Sequence, residues 1–246
     1  MSVSKKLAPI TDAGRKLLNR KVRRCGAVIV AAGSASRMKG LDKIMEPLQG
    51  THLIAHTVDA FSRCGTVSEI VVVTRKDLVE PVTEACKGCA KPITVVEGGA
   101  DRPASVENGL QALSSKVQLA AIHDGARPLI DPDLIDRVVR AANVFGAAAP
   151  GVPVKDTVKV VENTIVTQTP DRKTLRAIQT PQVFDYDLLR AALEKAREEK
   201  AEITDDCSAV ERMGMSVKII EGDERNLKVT TPTDLAIVRM LLEEGL

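Results

Sequence analysis

The pattern of hydrophobic and polar positions alternates along the chain between short apolar runs and longer stretches with helical spacing. Cys25 to Ala32 is a continuous apolar run, which is typical of a strand buried on both faces of a parallel sheet. His52 to Arg63 instead places its apolar residues three and four positions apart, as an amphipathic helix does. Further strands are predicted at Glu69–Thr74, Pro92–Glu97, Val117–His123 and Ala147–Pro153, and further helices at Asp77–Ala85, Arg102–Leu113 and Asp131–Asn143. This repetition predicts an α/β fold with a doubly wound, mostly parallel twisted sheet.

The pattern changes after Gly151, where two-residue alternation takes over. Lys155–Val161 and Thr164–Thr167 alternate like two short strands around a polar turn, and Thr174–Val183 is again extended. We interpret about residues 154–180 as a β-arm that projects from the sheet. Such a ribbon buries little by itself, so we expect it to lie on a partner subunit. Beyond the arm, the pattern predicts helices at Asp185–Glu199, Thr204–Met213 and Pro232–Leu242 and a strand at Val217–Glu221.

The composition is that of a folded domain with a short appendage. The chain has 246 residues, of which 44% are hydrophobic, and this is enough for a substantial core. We assign residues 25–246 to a single domain and residues 1–24 to a basic N-terminal extension that lacks the apolar segment of a secretory signal. The net charge of +2 and the aromatic content of 2% disfavour a general nucleic-acid binder. No apolar run is long enough to span a bilayer, so no membrane association is expected.

The cysteines indicate the cellular compartment rather than a site. Five cysteines form an odd set without the spacing of a disulfide framework. Together with the missing export signal, they favour reduced thiols in a bacterial cytoplasm, while the basic extension leaves plastid targeting open as an alternative. Cys86 and Cys89 have C-x-x-C spacing, but no second pair completes a zinc site, so we interpret them as incidental thiols near a helix end.

The loop after the first strand is the first candidate site. Its small residues, Ala31-Ala32-Gly33, allow a ligand to approach the backbone closely, and Arg37 and Lys43 follow within the same segment. Cationic side chains combined with backbone N–H groups form an anion-binding site. The loop contains neither the G-x-G-x-x-G of dinucleotide-binding proteins nor the G-K-[ST] of a Walker A loop. It therefore predicts an anion site of another kind.

Two more loops follow later strands of the predicted sheet. Gly98 to Ser105 contains two adjacent glycines together with Arg102 and Ser105, which can hydrogen-bond a ligand. His123 to Pro128 carries Asp124, whose carboxylate either binds a divalent cation or serves only the local turn. Ligands of doubly wound sheets lie beyond the carboxyl ends of the strands, where all three loops meet. Glycines, cations and a carboxylate at that edge predict a site for a nucleotide with its metal ion.

A set of segments occurs in order from about Ala27 to the C-terminus: AAGSASRM with Lys43, GGADRPASVENGL, HDGARP, PVKDTVK, DRKTLRAIQTPQVF, ITDDCSAVE and GDERNLKVTTPTDL. Together they resemble the 2-C-methyl-D-erythritol 4-phosphate cytidylyltransferases of the non-mevalonate isoprenoid pathway. The first loop alone marks only the wider nucleotidyltransferase superfamily with its Rossmann-like fold. The resemblance implies that CMP is transferred from CTP to methylerythritol phosphate with release of pyrophosphate. It further implies Mg²⁺ or another divalent cation as cofactor and a homodimer formed through the β-arm.

The resemblance also assigns roles to individual residues. It implies that Arg37 and Lys43 are catalytic and stabilise the charged transition state. The implied nucleotide-binding residues are Ala31, Ala32, Gly33, Gly99, Ser105, Asp124 and Arg127, with Asp124 also a candidate metal ligand. Lys228 is implied to reach the phosphates. Thr157 and Arg172, on the arm, are implied to bind methylerythritol phosphate in the site of the neighbouring subunit.

Three alternatives remain at this stage. The first is a cytidylyltransferase for another polyol phosphate, such as ribitol 5-phosphate, which would share the fold and the CTP contacts. The second is a non-catalytic nucleotide-binding protein, which the presence of Arg37, Lys43 and Lys228 disfavours. The third is a nucleic-acid binder that uses the basic N-terminus, which would bind DNA or RNA in a salt-sensitive manner.

Overall fold

The computed structural model describes residues 21–33 and 42–245. Its strands are β1 Cys25–Val30, β2 Pro47–Leu48, β3 Thr51–His52, β4 Val67–Thr74, β5 Ile93–Glu97, β6 Leu119–Asp124, β7 Ala147–Pro153, β8 Val160–Glu162, β9 Ile165–Gln168, β10 Arg176–Ile178, β11 Gln182–Asp185 and β12 Lys218–Glu221. Its helices are α1 Leu53–Arg63, α2 Val79–Ala85, α3 Arg102–Ala112, α4 Pro132–Phe145, α5 Tyr186–Glu198, α6 Asp206–Arg212 and α7 Pro232–Glu243. The order of elements follows the prediction, apart from the two-residue strands β2 and β3, which are too short to leave a pattern.

Within these residues, the main sheet has eight strands, in the order β10-β7-β11-β6-β1-β4-β5, with β12 also paired to β7. The pairs β6–β1, β1–β4, β4–β5 and β12–β7 are parallel, whereas β11 runs antiparallel to β6 and β7, and β10 antiparallel to β7. The predicted α/β fold is therefore confirmed as a mixed, mostly parallel sheet. The antiparallel strands β10 and β11 follow the arm without a crossover helix, which parallel pairing would require.

Helices cover both faces of the sheet, which makes the fold doubly wound. On one face, α1 and α4 pack through side chains such as Phe61, Leu134 and Val138. On the other face, α3, α5 and α6 pack through side chains such as Leu110 and Leu193. No helix in the described ranges is long and apolar enough to cross a membrane.

Helix α3 lies unusually close to the sheet because of Gly109. A Cβ atom at this position would lie only 2.3 Å from Cγ1 of Val28 and 2.8 Å from Cγ2 of Val73. The glycine thus allows helix and strand backbones to approach each other. This close packing fixes the N-terminal end of α3 at the carboxyl edge of the sheet.

The arm projects from the body of the molecule, as the alternation predicted. Strands β8 and β9 pair only with each other, and their large apolar side chains are exposed, with Val161 at 53% and Ile165 at 69%. The predicted arm, about residues 154–180, extends further along the chain than the part that projects in the structure. Arg176–Ile178 pairs with Gly151–Pro153 of β7, and Gln179 and Thr180 are buried, so residues 176–180 belong to the main sheet.

Candidate active site

A cavity of about 370 Å³ opens at the carboxyl edge of the parallel strands. It is lined by Val30, Ala31, Ala32, Gly33, Lys43, Ile44, Ala100, Asp101, Arg102, Ser105, Asp124, Ala126 and Lys228. All three predicted loops contribute to this lining, because the register of the sheet aligns the ends of their strands. Val30 of β1 pairs with Val73 of β4 on one side and with Asp124 of β6 on the other.

The first loop contributes small residues and a lysine. Ala31 is fixed by its N–H group, which donates to the carbonyl oxygen of Val73 at 2.7 Å. Beside it, Gly98 packs so closely that a Cβ atom would lie 2.5 Å from Cβ of Ala32. Lys43, one of the two predicted catalytic residues, lines the cavity. Arg37, the other predicted catalytic residue, lies outside the described residues.

The second loop is organised by the N-terminus of α3. The Asp101 side chain caps this helix by accepting from the N–H group of Ala104 at 2.8 Å. The Ser105 hydroxyl accepts from the N–H group of Gly99 at 3.1 Å and donates to the carbonyl oxygen of Asp101 at 2.8 Å. A Cβ atom at Gly99 would lie 2.4 Å from Cβ of Ala104. Ser105 therefore closes a tight turn that only glycine fits, and the turn presents Ala100 and Asp101 to the cavity.

Arg102 lines the cavity, although the resemblance did not assign it a role in binding the nucleotide. Its two terminal nitrogens donate to Oδ1 and Oδ2 of Asp206 at 3.0 and 2.7 Å, and Asp206 is completely buried. Burial opposes the charge of Arg102, but the Asp206 carboxylate outweighs it and raises the pKa of Arg102. Arg102 is thus a fixed, largely neutralised part of the cavity wall.

Asp206 had one sequence signal that could have identified it. Two aspartates stand at the start of α6, and Asp205 alone forms the capping box with Ser208. The cap does not need Asp206, so a second buried acidic residue beside it indicates a cationic partner elsewhere in the fold.

The third loop places Asp124 between two cations. Its Oδ2 atom lies 3.1 Å from Nζ of Lys228 and 3.2 Å from Nε of Arg127. Burial would raise the pKa of Asp124, but the charges of Lys228, Arg127 and Arg102 outweigh burial and lower it to about 2. Asp124 is therefore an ionised carboxylate near neutral pH and holds the Lys228 ammonium group at the cavity.

Arg127 occupies a different place from the one its predicted role requires. It is absent from the cavity lining, and its side chain is only 11% exposed. Its guanidinium group binds Asp124 and also donates to the carbonyl oxygen of Asn226 at 2.7 Å. Arg127 therefore lies behind the cavity wall, where it holds the Asp124 side chain and the main chain of Asn226 in place.

His123 lies directly beneath the site and is not exposed to it. Its Nδ1 atom is 2.9 Å from the Thr180 hydroxyl, which also accepts the N–H group of Asp124 at 3.1 Å. Burial lowers the pKa of His123 to about 3, so the ring is neutral at physiological pH. His123 thus supports the backbone of Asp124 and does not exchange protons with the cavity near neutral pH.

The residues present do not form a metal centre by themselves. Among the described residues, no group of three or more His, Cys, Asp or Glu side chains is placed to hold a metal ion. The predicted ligand Asp124 already faces two cations. Its carboxylate could supply at most one ligand to a cation that a bound triphosphate holds with its own oxygens.

Thr157 and Arg172 lie at the base of the arm. Both are exposed, and neither lines the cavity of its own chain. A guanidinium N–H of Arg172 donates to the carbonyl oxygen of Lys155, two residues from Thr157. The arm thus brings these two predicted residues into the same region, outside the cavity that their own chain forms.

Known proteins with this fold and site share much of the sequence. The family model described as IspD, 2-C-methyl-D-erythritol 4-phosphate cytidylyltransferase, matches residues 25–244. A relative of that name from Caldanaerobacter subterraneus subsp. tengcongensis is 43% identical over 227 residues, which cover 89% of this chain and 98% of the relative. A second, from Symbiobacterium thermophilum, is 44% identical over 220 residues, covering 88% and 92% of the two chains.

Solved structures agree with these relatives. The 4-diphosphocytidyl-2C-methyl-D-erythritol synthase of Anaerococcus prevotii is 31% identical and superposes with a TM-score of 0.82, covering 90% of this chain and 99% of that chain. The 2-C-methyl-D-erythritol 4-phosphate cytidylyltransferase of Thermus thermophilus is 34% identical with a TM-score of 0.73, covering 91% and 99%. The family match and these relatives agree, and the chain belongs to the family of 2-C-methyl-D-erythritol 4-phosphate cytidylyltransferases.

Proposed function

We propose that the cavity at the sheet edge binds CTP and that this enzyme transfers CMP to 2-C-methyl-D-erythritol 4-phosphate. The products are 4-diphosphocytidyl-2-C-methyl-D-erythritol and pyrophosphate. The observation that carries this proposal is the meeting of a small-residue loop with the lysines Lys43 and Lys228 in one cavity. The alternative acceptor, ribitol 5-phosphate, is not favoured, because the relatives compared above are all named for methylerythritol phosphate.

The chemistry is a displacement at phosphorus. An oxygen of the methylerythritol phosphate group attacks the α-phosphorus of CTP, and the bond from that phosphorus to the bridging oxygen of the β-phosphate breaks. The electron pair leaves with pyrophosphate. Both the nucleophile and the leaving group are already anionic, so the step depends on positioning and charge stabilisation rather than on an acid–base pair.

The cations at the cavity supply this stabilisation. Lys43 and Lys228 would face the triphosphate, and the resemblance assigns Arg37 to the same charge stabilisation. An interaction that strengthens as charge moves to the leaving group accelerates the reaction, and removing one such contact costs about 100- to 1,000-fold in turnover. Asp124 remains ionised and donates no proton; its part is to hold Lys228.

The cytidine part of CTP, which carries no charge, binds in this proposal at the turn before α3. Small residues at Ala31, Ala32 and Gly33 let the nucleotide approach the backbone, and Gly99, which does not line the cavity, forms the tight turn that Ser105 fixes. The paired charges of Arg102 and Asp206 give this wall little net charge, which suits a cytidine moiety rather than a phosphate.

A divalent cation, most simply Mg²⁺, accompanies the triphosphate in this proposal. When bound, it neutralises phosphate charge and polarises the reacting phosphoryl group. Asp124 is the side chain that would hold it, as one ligand beside the phosphate oxygens.

The enzyme is proposed to act as a homodimer through the β-arm. The three exposed valines and the exposed Ile165 of β8 and β9 support this, because an apolar ribbon without a core is stabilised by burial against another surface. Thr157 and Arg172 would then bind the methylerythritol phosphate in the cavity of the other subunit. Arg172, with its planar fork of N–H donors, suits a phosphate group.

A cytoplasmic location in a bacterium is also proposed. Its support is that all five cysteines are free in the structure and that the relatives named above come from bacteria.

Turnover with alternative acceptors tests the proposed function. Pyrophosphate release is followed with CTP, Mg²⁺ and either methylerythritol phosphate or ribitol 5-phosphate. We expect faster release with methylerythritol phosphate. Faster release with ribitol 5-phosphate, or none with either acceptor, would contradict the proposal.

A further inference from the structure

Lys228 reaches the cavity from a segment without helix or strand. Residues 222–230 form an irregular stretch between β12 and α7. A lysine side chain has four rotatable bonds, so the placement of its ammonium group depends strongly on where its backbone is fixed. Backbone fixation in this segment comes from contacts on both sides of Lys228.

After Lys228, the segment is fastened by main-chain and apolar contacts. The N–H group of Val229 donates to the carbonyl oxygen of Ala126 at 2.8 Å. The Val229 side chain is completely buried and packs in a cluster with Leu48, Leu53 and Leu235. Position 229 is therefore fixed by the core.

Before Lys228, polar side chains fasten the segment: Gln179 exchanges hydrogen bonds with the main chain of Asp223, and Asn226 lies nearest to the lysine. This asparagine is completely buried, and its Nδ2 atom donates to the carbonyl oxygen of Thr180 at 2.9 Å. Its main-chain carbonyl oxygen, which does not depend on the side chain, accepts from Arg127 at 2.7 Å. Asn226 thus joins the Lys228 segment to Thr180, which binds the Asp124 backbone, and to Arg127, which binds the Asp124 side chain.

Asn226 makes these contacts at an energetic cost. Its Oδ1 atom is buried and has no hydrogen-bond partner among the described residues. An unsatisfied buried acceptor destabilises the folded state. The unpaired Oδ1 atom offsets part of the stabilisation that the Nδ2 contact to Thr180 provides.

We propose that Asn226 is a positioning residue that acts through Lys228. It holds the segment so that the Lys228 ammonium group sits between Asp124 and the bound triphosphate. The proposal rests on the proposed function, because it assigns Lys228 to the phosphates. It adds a residue that contacts neither substrate but controls the position of the Lys228 ammonium group, which faces the leaving pyrophosphate.

A double-mutant cycle tests this role. The kcat/KM for CTP is measured in the wild type, Asn226→Ala, Lys228→Ala and the double variant, with methylerythritol phosphate saturating. If Asn226 acts through Lys228, Asn226→Ala lowers kcat/KM about 10-fold or more alone but less than about 3-fold in the Lys228→Ala background. An equal loss in both backgrounds, or no loss in the single variant, would overturn the proposal.

Two controls keep the result interpretable. Asn143→Ala removes two part-buried hydrogen bonds from Arg23 at the opposite edge of the sheet, and its effect should be the same with or without Lys228. If neither the wild type nor Asn143→Ala forms product, the proposed function itself has failed. Should Asn226→Ala not fold, as judged by circular dichroism, Asn226→Ser serves in the same cycle, because its short hydroxyl does not span the distance to Thr180.

Discussion

Asp124 owes its ionised state in the folded chain to neighbouring cations rather than to water. Burial alone would raise its pKa, and the charges of Lys228, Arg127 and Arg102 lower it to about 2 instead. Folding therefore favours the ionised carboxylate. The same contact that keeps Asp124 charged also keeps the Lys228 ammonium group at the mouth of the cavity.

The charge of Asp124 makes stability depend on pH in a defined window. The folded-state pKa of Asp124 lies below its ordinary value of 3.8, so its contribution is complete above about pH 4 to 5 and is lost as the pH falls towards 2. We expect the free energy of unfolding of the wild type, relative to Asp124→Asn, to fall by about 2 kcal/mol between pH 5 and pH 2. Urea denaturation across this range measures the difference. A pH-independent difference would show that Asp124 is not stabilised by its cations.

Gly99 is the backbone position on which the turn before α3 depends most directly, and we propose that this turn binds cytidine. In Gly99→Ala the new Cβ would lie 2.4 Å from Cβ and 2.8 Å from the carbonyl carbon of Ala104, so the turn has to open. We expect the KM for CTP to rise about 10-fold or more while the fold is kept. Gly65→Ala is the matched control, because nothing lies within 4 Å of its added Cβ. Equal KM values for the two variants would remove Gly99 from the site.

At the scale of elements, the bidentate contact between Arg102 and Asp206 joins α3 to α6 beside the cavity. Asp206→Ala would leave the largely buried Arg102 guanidinium unpaired, which destabilises a fold by about 3 kcal/mol. The pair of Arg197 and Glu107, in which the arginine side chain is 64% exposed, links α5 to α3, and Glu107→Ala should cost no more than about 1 kcal/mol. Denaturant unfolding of both variants tests the contrast, and similar losses would contradict the structural importance of the buried pair.

The elements were predictable where local chemistry and periodicity agree. Helix α3 begins at the predicted Arg102, since Asp101 caps it and Pro103 suits the first turn. The end of the arm was not predictable, because Arg176–Ile178 joins β7 through backbone pairing that leaves no side-chain pattern. The β2–β3 hairpin was missed because two residues are too few to show alternation.

The sequence predicts those parts of the site that directly follow the ends of the parallel strands. The loops after β1, β5 and β6 meet because parallel strands share a carboxyl edge. Asp206 and Asn226 could not be deduced in the same way. Asp206 depends on how α6 packs against α3, and Asn226 depends on the path of an irregular segment.

At the scale of the whole molecule, the proposed dimer would share each active site between two chains. If Arg172 serves the opposite cavity, an Arg172→Ala subunit and a Lys43→Ala subunit together restore one complete site. Random mixing of the two inactive proteins should then recover about a quarter of the wild-type rate, because half of the dimers carry one intact site of two. Pyrophosphate release after subunit exchange measures this recovery. Activity no greater than that of the two separate variants would place Arg172 in the site of its own chain, or outside any site.

The central claim is that the cavity lysines carry nucleotidyl transfer to methylerythritol phosphate. Its most direct test is the rate at which Lys43→Ala forms 4-diphosphocytidyl-2-C-methyl-D-erythritol from CTP, followed by ³¹P NMR. The matched control is Lys116→Ala, an exposed lysine at the amino edge of β6. The account predicts that Lys43→Ala loses about 100- to 1,000-fold in kcat with an unchanged fold, while Lys116→Ala matches the wild type. A near-normal rate in Lys43→Ala would contradict the account.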